Sequence, residues 1–299
     1  MKEVLIIGTV ATDTIETPFG KAEKALGGSA SYASYAASFF AKPGILSIIG
    51  KDFPEEYLNL LKQKGIGLEG VQVSGKTFHW EGFYEFDMNE AKTRKTELNA
   101  LAGFQVKVPE EYKKIKNVFL ANIDPARQLE TLNQMDKPEF VVLDTMNFWI
   151  SSKKNELLEV IKRANVLVMN DGESRQLFNT INLVQAANHA LKLGPKAVII
   201  KKGEHGSLLF TEGKHFNAPG YPLETIKDPT GCGDSFGGGF IGYLAKTRDF
   251  SEQNFRKAIV YGSVIASFNA EDFSLNRLKT LTMKEIDERY RQFQDIREF

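Results

Sequence analysis

The sequence predicts an α/β fold, a doubly wound and mostly parallel sheet flanked by helices, on two observations. Short β-branched runs recur along the chain, and longer amphipathic stretches separate them. The runs are VLIIG from Val4, ILSIIG from Ile45, VFLAN from Val118, FVVLD from Phe140, VLVMN from Val166 and AVIIKKG from Ala197. They lack polar alternation, as do parallel strands buried on both faces. Helical periodicity covers Ser29 to Phe40, Glu55 to Lys64 and Leu183 to Leu193, so right-handed crossovers connect the strands. Ligands of such sheets bind beyond the strands' carboxyl ends. Polar residues gather there: Asp13 after the first run, Asn122 and Asp124 after the third, Asp144 and Asn147 after the fourth, Asn170 and Glu173 after the fifth.

One stretch breaks this rhythm. In TFHWEGFYEF from Thr77, Phe78, Trp80, Tyr84 and Phe86 share one face, while His79, Glu81 and Glu85 share the other. Period two predicts an antiparallel strand with one open face. With the polar segment from Pro18 to Lys24 it would build a small projecting sheet, a lid. An edge hairpin or a homodimer contact explains the same residues.

Lys plus Arg total 38, as do Asp plus Glu, so no net field draws the 299-residue chain to nucleic acid or an anionic membrane. A small polar ligand is the expected partner. One cysteine excludes an internal disulfide, and four scattered histidines offer no zinc spacing. The opening MKEVLIIG is too short for a signal or membrane segment, which points to the cytoplasm.

Two motif matches fail on context. GVQVSGKT, Gly70 to Thr77, fits the phosphate-loop pattern, yet such a loop must follow a strand and open a helix. Here a helical stretch precedes it and an aromatic strand follows. GIGLEG, Gly65 to Gly70, fits the dinucleotide fingerprint, but it follows the helical EYLNLLKQK and is better read as that helix's cap.

The chemistry centres on DPTGCGDSFGGGFIGYLAK from Asp228. Gly231, Cys232 and Gly233 form a compact turn before an apolar helix, so the amides of residues 231 to 234 are expected to cradle an anion. Phosphoryl transfer depends on such positioning and charge neutralisation. Asp234, at the end of the cradle, is placed to take a proton from an attacking hydroxyl. Its other reading is an acid in a helix's first turn.

DPTGCGDSFGGGF resembles the C-terminal signature of the ribokinase-like (PfkB) carbohydrate and nucleoside kinases, and the resemblance extends over nearly the whole chain. It implies one ribokinase-like domain over residues 1–299, with a lid formed by about 12–26 and 77–100. It implies Asp234 as base with Gly231, Cys232 and Gly233 as the catalytic anion cradle. Leu26 to Ala30 resembles the di-glycine signature, so Asp13, Gly27, Gly28 and Ser29 are implied at the acceptor, with Tyr32 where the family usually has Asn. Asn170 to Glu173 resembles the N-x-x-E element, in which Glu173 acts on Mg2+ through water and Asn170 lies near the phosphates. Gly203 to Gly206 resembles the nucleotide turn, preceded by Lys201 where the family has Thr; a lysine there can neutralise phosphate. Asp228 is implied in monovalent-cation binding.

The implied cofactors are ATP and Mg2+, with K+ as a further candidate. The implied reaction is ATP-dependent phosphorylation of a hydroxyl, a primary one by the same resemblance, on a small carbohydrate; nucleosides are the rival acceptors. A non-catalytic nucleotide sensor would not require Asp234, and an NAD-linked oxidoreductase lacks its motif. Cys232 at a helix start suggests a nucleophile, but with no histidine motif beside it a packing role is the simpler reading. Trp80 and Phe78 are candidates for stacking on a ligand or for packing. Lys113 to Lys116 reads as a solvated helix face.

Overall fold

The computed structural model describes residues 2–298. Thirteen strands follow in chain order: β1 (Val4–Ile7), β2 (Ala11–Thr17), β3 (Gly20–Gly27), β4 (Pro43–Ile49), β5 (Gly67–Val73), β6 (His79–Tyr84), β7 (Ala91–Glu97), β8 (Asn117–Leu120), β9 (Phe140–Asp144), β10 (Val166–Asn170), β11 (Ala197–Lys201), β12 (Ser207–Thr211) and β13 (Lys214–Ala218). Nine form one sheet in the order β13-β12-β11-β10-β9-β8-β1-β4-β5. It is parallel from β5 to β11, and β12 and β13 close that edge as antiparallel strands. The chain leaves β1 toward β4 and β5, then returns to β8 on the other side of β1. This reversal opens a crevice at the strands' carboxyl ends, where α/β folds bind ligands.

All six predicted runs form central strands, and their residues alternate between two cores. Val4 and Ile6 pack with helices Ser29–Ala37, Cys232–Thr247 and Glu252–Asn269. Leu5 and Ile7 face the opposite layer, with Leu132, Leu157 and Ala187. Helix Cys232–Thr247 carries three consecutive glycines, a costly choice for a helix interior. Close approach explains it: a methyl group at Gly238 or Gly242 would meet the backbone of helix Ser29–Ala37, and one at Gly239 would meet Gly262. These contacts fix the position of the helix start that carries Asp234.

A second, four-stranded sheet has the order β3-β2-β6-β7 and draws on the two stretches singled out in the sequence. Its pairing differs from expectation. β6 is antiparallel to β7 but parallel to β2, because β2 arrives from a remote crossover and only β7 follows by hairpin. Trp80 and Tyr84 share a face, with the indole lying across Gly82. Phe86 falls beyond the strand end and is 90% exposed, so the predicted aromatic face stops at Tyr84. Arg94 covers Phe83 on the opposite face and pairs with Glu16 at 2.5 Å.

Both discarded motifs have structural roles. Gly70 lies inside β5, Gly75 turns the chain at φ 59°, and Thr77 is tied to Asp52 and Gly50 at the entry to β6. Gly65, at φ 81°, terminates helix Glu55–Gln63. Among the described residues no helix is long and apolar enough to cross a membrane.

Candidate active site

Gly231 takes the left-handed conformation, φ 76°, and caps helix Cys232–Thr247. A side chain there would be strained and would also run into the Tyr32 ring. The turn leaves the amides of Gly231, Gly233 and Asp234 without a protein partner among the described residues. The expected cradle of four is therefore corrected to three, because the Cys232 amide donates to Pro229 O at 3.1 Å. The Cys232 thiol lies 3.4 Å from Ala266 O, and burial pushes it up to about 12. It is not an activated nucleophile.

Asp234 retains a partial opening to solvent, but enclosing protein strips much of its hydration. That desolvation, with Asp144 nearby, raises its carboxyl to about 7 against the opposing pull of Lys201. Asp13 comes from β2 and is buried. Burial raises it to about 7; the Gly28 amide opposes this, and the charges of Asp228 and Asp234 add to it. Asp13 and Asp234 thus lie near enough for the charge of Asp234 to oppose ionisation of Asp13. Gly27 permits the arrangement, since any side chain there would overlap the Asp13 carboxylate. Gly28, at φ 91°, turns the chain against Thr9 and starts helix Ser29–Ala37.

Ser29 departs from its predicted acceptor role. Its hydroxyl donates to Asn122 O at 2.9 Å and accepts from the Thr9 amide at 3.0 Å, so it fastens the helix start to β1 and β8. Tyr32 is buried beneath Gly231, and its hydroxyl has no hydrogen-bond partner among the described residues. Burial and the nearby Asp228 and Asp13 carboxylates keep that phenol protonated. Tyr84 reaches the same loop from the small sheet, its hydroxyl 3.3 Å from Thr230 Oγ1. Asp228 is fully buried; Thr230 N donates to one oxygen at 2.9 Å and Ser274 N to the other at 3.4 Å.

On the other side of Asp234, Lys201 ends β11 and pairs with Asp144 at 3.0 and 3.2 Å. Asn170 and Glu173 form a reciprocal capping box, each side chain accepting the other's amide at 2.7 Å. The N-D-G-E spacing is thus also a helix-start signal. Burial raises Glu173 to about 7, Lys201 pulls it down, and Asp144 pushes it up. Gly203 and Gly206, both at positive φ, bound the turn between β11 and β12, and a methyl at Gly203 would lie 3.8 Å from Asn89 Oδ1 in the β6–β7 tip.

Asp144 was visible only as a polar strand end; Tyr84 was visible only as part of a stripe. Asp124 and Asn147 stay outside this cluster. Asp124 caps helix Pro125–Gln134 and pairs with Lys153, while Asn147 opens the short helix Asn147–Ser152. The Asn122 side chain binds Trp149.

Three free amides and the largely enclosed Lys201 ammonium beside Gly233 form a donor-rich surface suited to phosphate oxygens. Two carboxyl groups next to it suit a hydroxyl acceptor. A doubly wound fold with this pairing defines a phosphotransferase class, and comparison with known proteins agrees. The chain belongs to the pfkB family of carbohydrate kinases, whose family model matches residues 1–280. These are phosphotransferases with hydroxyl acceptors. It is 32% identical over 259 residues to a cytidine kinase of Thermococcus kodakarensis, covering 84% of this chain and 92% of that one. The crystal structure of a Methanocaldococcus jannaschii nucleoside kinase superposes with a TM-score of 0.80 at 23% identity, covering 98% of this chain and 99% of the other. A Burkholderia thailandensis nucleoside kinase solved with inosine gives 0.77 at 21% identity, covering 97% and 96%.

Proposed function

We propose that the protein transfers the γ-phosphoryl group of ATP to a hydroxyl of a nucleoside, with a free sugar as the second reading. The observation that carries it is the nearness of two desolvated carboxyls, Asp13 and Asp234, with three unpartnered amides at the helix start that bears Asp234. Asp13 holds the acceptor's hydroxyls against the backbone of Gly27 and Gly28. Asp234 accepts the proton of the attacking hydroxyl, a step general bases accelerate by about 10²–10⁴-fold. The amides of Gly231, Gly233 and Asp234 meet the charge of the transferring group in a site with restricted water. Asn170, Lys201, Gly203 and Gly206 border the nucleotide.

Among the described residues no group of three or more His, Cys, Asp or Glu side chains forms a metal cage. A nucleotide-borne Mg2+ fits this arrangement, with Glu173 acting on it through water. Such an ion supplies charge neutralisation at the phosphates. Asp228 spends both oxygens on the Thr230 and Ser274 amides, so a potassium role requires sharing them; activity in KCl against tetramethylammonium chloride decides that role.

A nucleoside is favoured over a sugar by the aromatic face of Trp80 and Tyr84, a surface suited to a base, and by the kinship with cytidine and nucleoside kinases. The carbohydrate-kinase family supports the sugar. The test is ADP release from Mg-ATP across nucleosides, sugars and polyols, with Asp234→Asn as control. A nucleoside signal that vanishes in the variant supports the reading. A sugar signal moves it to the second acceptor class, and undiminished turnover in the variant removes Asp234 as base.

A further inference from the structure

We propose that Lys201 is a catalytic residue that meets the charge of the transferring phosphoryl group, and that Asp144 is the positioning residue that holds its ammonium in place. The proposal rests on the kinase reading above and extends it, from Lys201 as a border of the nucleotide to a task for Lys201 and Asp144 in the transfer itself.

The strand register sets the geometry. Asp144 is aligned with Val168, and Val168 with Ile199, so the three side chains share a face. Lys201, two residues beyond Ile199, lies on that face too. It is the face covered by helix Cys232–Thr247, since Val168 and Ile199 pack with Phe236 and Phe240. The ammonium therefore projects toward the helix start, where a methyl group on Gly233 would lie 3.1 Å from Nζ. Both partners are largely enclosed, with the Lys201 side chain 18% exposed and that of Asp144 4%.

Burial disfavours the charge of the ammonium, but the carboxylates of Asp144, Glu173 and Asp234 outweigh that cost, so it stays charged in the empty protein. The helix N-terminus presents positive partial charge, as do the free amides beside Nζ. Among the described residues only Asp144 bonds the ammonium directly, which leaves its remaining N–H groups for a ligand at the helix start. The buried Ser207 hydroxyl, opposite Lys201 on β12, has no partner and lies on the same face of the sheet. Ammonium and amides together suit an oxyanion bound next to Asp234. Because Asp234 takes the proton of the hydroxyl that attacks the γ-phosphorus, that oxyanion is the γ-phosphate, which ADP lacks.

A purely structural ion pair makes a different prediction, so titration calorimetry of Mg-ATP and Mg-ADP tests the proposal without turnover. Lys201→Met should lose about tenfold or more in ATP affinity and little in ADP affinity, and Lys201→Arg should recover part of the difference. Turnover with the nucleoside panel should fall about a hundredfold in Lys201→Met and about tenfold in Asp144→Asn. The double variant should be no worse than Lys201→Met, because Asp144 acts only through the lysine. Should Lys201→Met fail to fold around an unpaired carboxylate, the double variant removes both charges and gives the measurement. An unchanged ATP-to-ADP ratio with normal turnover, accompanied only by a lower melting temperature, overturns the proposal. If Asp234→Asn abolishes transfer in that case, the kinase reading stands without it; if no variant and no acceptor affects ADP release, the kinase reading itself fails.

Discussion

Asp13, Glu173 and Asp234 each carry a carboxyl raised to about 7, and in each the largest cause is burial. A base in this range is half-ionised near neutral pH and strong enough to accept a hydroxyl proton. Turnover should follow the ionised fraction of Asp234, so kcat/KM is expected to rise through about pH 7. A pH profile with its acid limb near 4 would separate the activity from this carboxyl. Stability has the opposite dependence. Asp13 and Asp234 bind protons in the folded protein at a pH where the unfolded chain has lost them. Their protonation stabilises the fold fully below about pH 4, and that stability is lost as the pH rises through 7. The empty protein should therefore melt lower at pH 8 than at pH 5. Asp13→Asn should flatten the difference and add stability on the order of 2 kcal/mol at pH 8, discounted from the full displacement for coupling to Asp228 and Asp234. The thiol of Cys232 belongs to the same scale. Held up at about 12, it should resist alkylation at pH 7.5, and Cys232→Ala should retain turnover; rapid modification at that pH would contradict the packing role.

At the scale of elements, helix starts do two things at once. Asn170 and Glu173 close a capping box, so Asn170→Ala should cost about 1 kcal/mol in denaturant unfolding, whatever it does to nucleotide binding. Tyr32 shows the converse. A buried hydroxyl without a partner destabilises, so Tyr32→Phe should leave the empty protein as stable or more stable by about 1 kcal/mol. If the hydroxyl contacts the acceptor, KM for the acceptor rises in the same variant while Mg-ATP binding does not change. The central strands were legible in the sequence because burial on both faces demands unbroken β-branched runs. β7 was not, since AKTRKTE is a solvated edge strand whose residues need no apolar pattern. The cradle was legible as a glycine turn before a helix, but the capture of the Cys232 amide by Pro229 depends on the turn's geometry. The Lys201–Asp144 pair was hidden for another reason: its partners lie 57 positions apart and meet only through strand register.

Across the whole molecule, the two sheets meet around the loop that leads into the cradle. Thr17 Oγ1 donates to Lys227 O at 2.8 Å, Ser274 Oγ donates to Leu26 O at 2.6 Å, and Tyr84 approaches Thr230 at 3.3 Å. The first two contacts anchor β2 and β3. Of these contacts the β6–β7 hairpin has only the third, while its tip lies beside the turn at Gly203. Such a hairpin, held to β2 by the strand ladder and the Arg94–Glu16 pair and to the loop by one polar latch, can open at its tip and its free β7 edge at small cost while β3 remains in place. Tyr84→Phe removes the latch hydroxyl and keeps the aromatic ring. Hydrogen exchange of residues 84–97 in the empty protein should then accelerate several-fold, with β3 unaffected, and saturating acceptor with Mg-ADP should restore protection. On the proposed reading, in which the hairpin's inner face borders the acceptor, KM for the acceptor should rise while Mg-ATP affinity stays constant. Equal acceleration across all four strands would mean that the small sheet opens as a unit, with Tyr84 contributing packing rather than a latch.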